Sequence, residues 1–291
     1  MSTPGDARIV DRGYRHYTGE RRGRRGAHRA LFVNSVQRAL GLRRKFRFKL
    51  IPISVAVMSY LFAIVFVGVA ALLPDGLGEE TVPDYASYYG FVTAAILLFV
   101  SIVVPEMLCV DRRTGMLGMY LAAPLTRDTY LAAKAAAVLA ILSIVTIGPL
   151  LLLIVGYSLV DVGPTWPIEG FGLLARIVLA GGALALFFTA FGLAVSALTD
   201  RRAFASAGIA LTALVSAAVV SALVETSVGM PAALRVLDVF NLPFELVRRI
   251  YGERGSYPEV GTATLAAGWL GWVTSCAALV RWRYQRLVVT K

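Results

Sequence analysis

The chain has 291 residues, 57% of them hydrophobic and 16% charged, with a net charge of +11. Six apolar runs each reach the roughly 20 residues that a helix needs to cross a bilayer, and no stretch reads as a separate soluble domain. With two cysteines, and two histidines confined to the N-terminal arm (His16 and His28), neither a disulfide framework nor a His-ligated metal in the membrane is expected.

Residues 1–49 hold 14 Lys and Arg against Asp6, Asp11 and Glu20, which accounts for the whole net charge. Residues 1–26 read as a disordered basic arm, too charged for a secretory signal. Beside a membrane, its partner is an anionic lipid surface rather than nucleic acid. Residues 27–49 alternate Leu31, Phe32, Val36 and Leu40 with Arg29, Arg38, Arg43 and Arg44. This predicts an interfacial amphipathic helix, with a plain orienting flank as the alternative.

Residues 50–286 then form one six-span domain. The spans are placed at 50–73, 88–110, 130–160, 173–198, 203–223 and 260–280. Tyr85, Tyr88 and Tyr89 suit an interfacial aromatic belt. The segments between spans one and two, and between three and four, are acidic. Those after spans two and four are basic, as is the tail. By the positive-inside rule both termini are cytoplasmic. The small residues of the fifth span (Ala203, Ala205, Gly208, Ala213, Ser216) predict a helix that is central or at a subunit interface. The Arg-, Ala- and Gly-rich composition suits a GC-rich bacterial genome, and the six spans then place the chain in the bacterial inner membrane. Before the last span, residues 232–251 read as two short amphipathic helices broken at Asn241–Pro243, serving as an outer gate or as a packed cap.

The stretch from Pro105 to Lys134 is unusual. It is a polar island, yet it carries Met116, Leu117, Met119, Tyr120 and Leu121. A plain loop has no use for these side chains. A short amphipathic helix, lying on the inner face or docked in a groove of another protein, does. Pro105 can bend the second span or leave a static kink. Glu106 is open to two readings. In one it is a helix-end carboxylate paired with Arg112, Arg113 or Lys134. In the other it links the inner loop to the spans, as a gate or coupling group.

The spans carry no histidine and no carboxylate near mid-membrane, and the sequence has no G-x-x-x-x-G-K-[ST] loop. An intramembrane enzyme and an ion-coupled carrier are therefore disfavoured. Two classes remain: a transport subunit driven from outside, or a membrane scaffold or signalling subunit that moves nothing. A transport route would be lined by residues such as Thr212 and Ser216.

Arg112-Arg113-Thr114-Gly115-Met116-Leu117, followed by Ala123-Pro124-Leu125-Thr126-Arg127 and Lys134, resembles the inner-face stretch of the ABC-2 type permease family. The turn Ser196–Arg202 with the Ala-rich start of the fifth span resembles that family's second recurring element. The match departs at Gly118 and Met119, where relatives often carry an acid. The resemblance implies an all-α integral membrane fold of six spans with both termini inside. It also implies an N-terminal interfacial helix, a cytoplasmic coupling helix over 111–125, and short helices before the last span. It implies no catalysis and no cofactor in this chain, with ATP and magnesium on a separate ATPase subunit present in two copies. A second permease subunit, identical or homologous, and outward movement of a lipid-like compound, a drug or a polysaccharide are implied as well. The residues expected to meet the ATPase are Asp111, Arg112, Arg113, Gly115, Met116, Leu117, Tyr120, Pro124, Leu125 and Arg127.

Overall fold

The structure is a computed structural model that describes residues 23–42, 46–72, 83–122, 124–226 and 231–287. All regular elements among the described residues are helical. In chain order they are α1 (Gly23–Ala39), α2 (Phe46–Leu72), α3 (Tyr85–Arg113), α4 (Met116–Ala122), α5 (Arg127–Thr146) and α6 (Gly148–Leu159). There follow α7 (Ile168–Leu198), α8 (Arg202–Thr226), a 3-10 turn (Ala232–Leu237), α9 (Leu242–Tyr251) and α10 (Thr262–Arg286). Six stretches are long and apolar enough to cross a membrane: Pro52–Leu72, Tyr85–Arg113, Arg127–Leu159, Ile168–Leu198, Arg202–Val224 and Thr262–Arg286. The chain is thus an all-α, six-span integral membrane fold.

The helix ends follow from local chemistry. Asp84 caps α3 by accepting the Ser87 amide at 2.8 Å. Thr126 and Thr129 form a reciprocal capping box at the start of α5. Gly115, at φ +71, lets the backbone turn sharply from α3 into α4, a conformation that costs a residue with a Cβ about 1–2 kcal/mol.

α3 and α7 form the centre. Of their apolar stretches 72% and 67% is buried, against 28% in α2 and 17% in both α8 and α10. The fifth span is therefore not central within the chain. Its small residues Ala205 and Ala213, with Ile209, face the bundle, while Phe204, Leu211, Leu214 and Val215 remain exposed. The expected aromatic belt is also corrected. Tyr88 and Tyr89 are buried, and their hydroxyls donate to the Ser59 and Thr146 carbonyls at 2.6 and 3.0 Å. A tyrosine can enter the bundle when its hydroxyl finds an acceptor there.

The third span is broken. Pro149 has no amide to return to the preceding turn, so α5 ends at Thr146 and α6 begins at Gly148. The exposed carbonyl of Ile144 accepts the Tyr60 hydroxyl at 2.8 Å. Thr146 in turn donates its hydroxyl to the Gly181 carbonyl at 2.9 Å.

Two N-terminal expectations change. The helix expected over 27–49 runs instead from Gly23 to Ala39, and Phe46 already belongs to α2. Of the disordered arm expected over 1–26, residues 23–26 belong to α1 and residues 1–22 lie outside the described residues.

Between α8 and α10 the chain folds back into the bundle. The first of the two predicted amphipathic helices is a 3-10 turn, and the break falls at Asp238–Asn241. The Val239 amide donates to Ser216 Oγ at 3.2 Å, about 20 Å along α8 from Arg202 at 1.5 Å per residue. Phe244 packs on Phe188, and Trp272 donates to the Val236 carbonyl at 3.0 Å. The tip thus lies at about mid-depth, between α7, α8 and α10. It carries the buried carboxylate of Asp238, which accepts the amides of Phe240 and Asn241, both at 3.0 Å, and the Asn241 side chain at 2.7 Å. The expectation of no carboxylate near mid-membrane fails here, because the hairpin brings one in. Its charge is spent on its own turn.

Candidate functional site

The last two turns of α3 carry Glu106 and Asp111 inward, and α1, α5 and α8 supply their counter-ions. Arg38 on α1 sits between them, with Nε 3.8 Å from Glu106 and Nη1 paired with Asp111. Lys134 on α5 lies 2.7 Å from the other Asp111 oxygen, and the Tyr130 hydroxyl donates to it at 2.9 Å. Arg202, at the start of α8, lies 2.7 Å from Glu106. Asp111 and Lys134 are fully buried. Charges in such surroundings persist only when paired, and each of these has an opposite charge beside it.

A second tie runs from α3 to the turn between α7 and α8. Arg112 donates to the Ala197 carbonyl at 2.6 Å and pairs with Asp200. The Cys109 thiol lies 3.3 Å from the Thr199 carbonyl. A third tie joins α5 to α10. Arg127 donates to the carbonyls of Tyr284 and Leu287 at 3.0 and 3.1 Å and to that of Gln285, capping the end of α10. Five of the spanning helices and α1 therefore meet in one electrostatic junction.

α4 lies over this junction. Leu117 is buried beneath it, and the Tyr120 ring packs tilted against Tyr130 with ring centres 5.8 Å apart. The Asn34 amide of α1 donates to the Tyr120 hydroxyl at 3.5 Å. Burial, reinforced by the Asp111 charge, raises the Tyr120 pKa and keeps its phenol protonated. On the outer side Met119 is 68% exposed.

The residues read as a docking surface therefore divide. Arg113, Gly115 and Pro124 are exposed, and Met116 and Tyr120 half-buried. Leu117 and Leu125 are buried under the helix. Asp111 is wholly internal, the Arg112 side chain is 7% exposed, and Arg127 is engaged with α10. Three of the charged residues thus brace the fold and are not free to meet a partner. The helix expected over 111–125 is shorter, Met116–Ala122, because α3 continues to Arg113.

Glu106 pairs with Arg38 and Arg202, whereas the expected partners Arg112 and Lys134 pair with Asp200 and Asp111. Pro105 lies in unbroken helix. Thr212 is exposed on α8, whereas Ser216 holds the hairpin. Arg38 was missed as a partner. The signal was its spacing: it falls seven residues after the buried Leu31, on the inward stripe of α1.

Among the described residues no group of three or more His, Cys, Asp or Glu is placed to hold a metal ion. The arrangement is suited to joining helices and passing on displacement. No curated protein matches the chain. Residues 50–280 match the family model described as ABC-2 family transporter protein. The match covers all six spans almost end to end, so the chain belongs to the ABC-2 family of membrane transporter proteins.

Proposed function

We propose that this chain is the permease subunit of an ATP-driven exporter in a bacterial inner membrane. The basic end and both termini face the cytoplasm. A soluble ATPase, in two copies, docks on the exposed side of α4 and supplies the ATP and magnesium. A second permease subunit, the same or homologous, completes the transporter. The cargo is an amphipathic or lipid-like compound or a drug, moved outward by alternating access.

One observation carries this reading. α4 offers exposed Met119 outward and rests inward on the charged junction, so a push on α4 reaches α1, α3, α5 and α8 together. α8 then transmits the motion. Its first residue, Arg202, is tied to Glu106, while Ser216 further along is bonded to the tip of the hairpin. Tilting α8 withdraws the Ser216 hydroxyl from Val239 and frees the hairpin to act as the outward gate. Thr212, one turn away on α8, faces the route. Coupling of about 1–3 kcal/mol between nucleotide state and helix position suffices for such a linkage.

The test is co-purification of the full chain with its ATPase from membranes. Met119→Glu places a charge on the docking face without touching the junction. It should abolish association while the protein still inserts and folds. Association at the unaltered level would refute docking on α4.

A further inference from the structure

A cleft of about 1370 Å³ opens at the basic end between α4, the turn joining α7 to α8, and the first turn of α8. Four guanidinium groups line it (Arg112, Arg113, Arg201 and Arg202) against one lining carboxylate, Asp200. Two of the four are already committed. Arg112 is paired with Asp200, and Arg202 with Glu106 behind the wall. Arg113 and Arg201 have no carboxylate within ion-pair distance among the described residues, and Arg201 lies over the Phe204 ring with its guanidinium carbon 5.7 Å from the ring centre. The cleft therefore holds surplus positive charge.

Its mouth continues onto an apolar stripe. Phe204, which lines the cleft, is 62% exposed, and Leu211 and Val215 follow on the same helix face at 59% and 54%. This face belongs to a helix long and apolar enough to span the membrane. A soluble anion would use the arginines and leave the stripe bare. An acidic peptide segment would do the same. An amphipathic anion satisfies both.

We propose that this cleft binds an acidic phospholipid of the adjoining leaflet, its phosphate between Arg113 and Arg201 and an acyl chain along Phe204, Leu211 and Val215. Met119 of α4 lies on one rim of the cleft, so lipid and ATPase would be neighbours there, but the anion is held by Arg113 and Arg201 and not by Met119.

The test uses the full chain with Phe204→Trp as reporter, in mixed phosphatidylcholine and phosphatidylglycerol vesicles in which one lipid or the other is brominated. Fluorescence of the parent chain is subtracted. Brominated phosphatidylglycerol should quench the reporter in clear preference to brominated phosphatidylcholine. Arg113→Gln and Arg201→Gln should each lower that preference about fivefold, the value of one cation beside an anionic surface. Equal quenching by the two lipids would overturn the proposal, as would a preference that survives both substitutions. Loss of the preference on adding glycerophosphate would assign the cleft to a free anion and also overturn it. If Arg201→Gln instead abolished ATPase association and left lipid preference intact, the cleft would be a protein contact and the proposal would fall. Arg201→Gln leaves α4 unaltered, so docking through Met119 is judged separately.

Discussion

Glu106 of α3 and Arg202 of α8 meet at 2.7 Å, and the same carboxylate faces Arg38 of α1. Three elements distant in sequence are thereby pinned to one side chain. The Glu106 carboxylate is 5% exposed and Arg202 43%, so the partner can turn to water when the carboxylate is lost. Glu106→Gln should therefore lower stability by only about 1–3 kcal/mol, while loosening α8 at its start. Thermal unfolding in detergent would give the first quantity and hydrogen exchange over 202–208 the second.

Asp111 should be the costlier position. Removing it leaves Lys134 buried with an uncompensated charge, beside Arg38 and the Tyr130 hydroxyl. Asp111→Ala is expected to cost about 3–5 kcal/mol, the usual range for stranding one member of a buried pair. Replacing Asp111 by Leu and Lys134 by Met together should recover most of the loss. Denaturation midpoints of the single and double variants would decide the matter.

Gly268 admits the hairpin. A Cβ there would run into the side chain of Val236, whose carbonyl is held by Trp272. Gly268→Leu should keep the tip from seating, with at least tenfold faster amide exchange over 242–251 and little change in α3 or α7. Unchanged exchange there would mean that the hairpin does not depend on this contact.

The hairpin is also fastened at its other end by a carboxyl pair. Asp84, the cap of α3, and Glu253, just after α9, share a hydrogen bond. Burial, then the bond to Asp84 and its charge, pushes the Glu253 pKa up to about 7 from its ordinary 4.5. At Asp84 burial pulls upward, but bonds from Glu253 and Ser87 and the charge of Arg248 together win and lower its pKa below 3.8. The stabilisation from Glu253 is complete below about pH 4.5 and is lost as pH rises through about 7. That from Asp84 is present above 3.8 and is lost as pH falls through its lowered value. Attachment of α9 to the start of α3 should thus be firmest between these limits and weaken above pH 7. Amide exchange of α9 against pH would show it, and Glu253→Gln should remove the upper transition.

Gly115 sets the angle of α4. Gly115→Ala forces a Cβ into the left-handed region with open space around it, so the cost is conformational, about 1–2 kcal/mol. Stability should fall by that amount, and the Tyr120 contact with Asn34 should weaken, which an NMR signal from the Asn34 side-chain amide would report.

The spans were legible because length and apolarity alone define them. Sequence could not tell which charges of the polar island face water. Asp111 and Arg113 look alike beside an apolar run, and only the positions of Arg38 and Lys134 on other helices bury the first. The break of the third span did carry a signal. Its predicted run over 130–160 would be about 46 Å long as one helix, well beyond a hydrocarbon core of about 30 Å, and Gly148-Pro149 lies within it. The amphipathic pattern of 232–251 was plain, but its depth was not. That depth is set by Ser216, Gly268 and Trp272, none of which belongs to the segment.

The interruption at Gly148-Pro149 bears on how the membrane holds its charge. Bared peptide oxygens deep in a bilayer invite water, and a file of water conducts protons. Here the oxygens of Ile144 and Thr146 are taken up by phenols from α2 and α3. Two of the oxygens at this joint are thereby withheld from water, which shortens any file along which protons could leak across the cell's gradient.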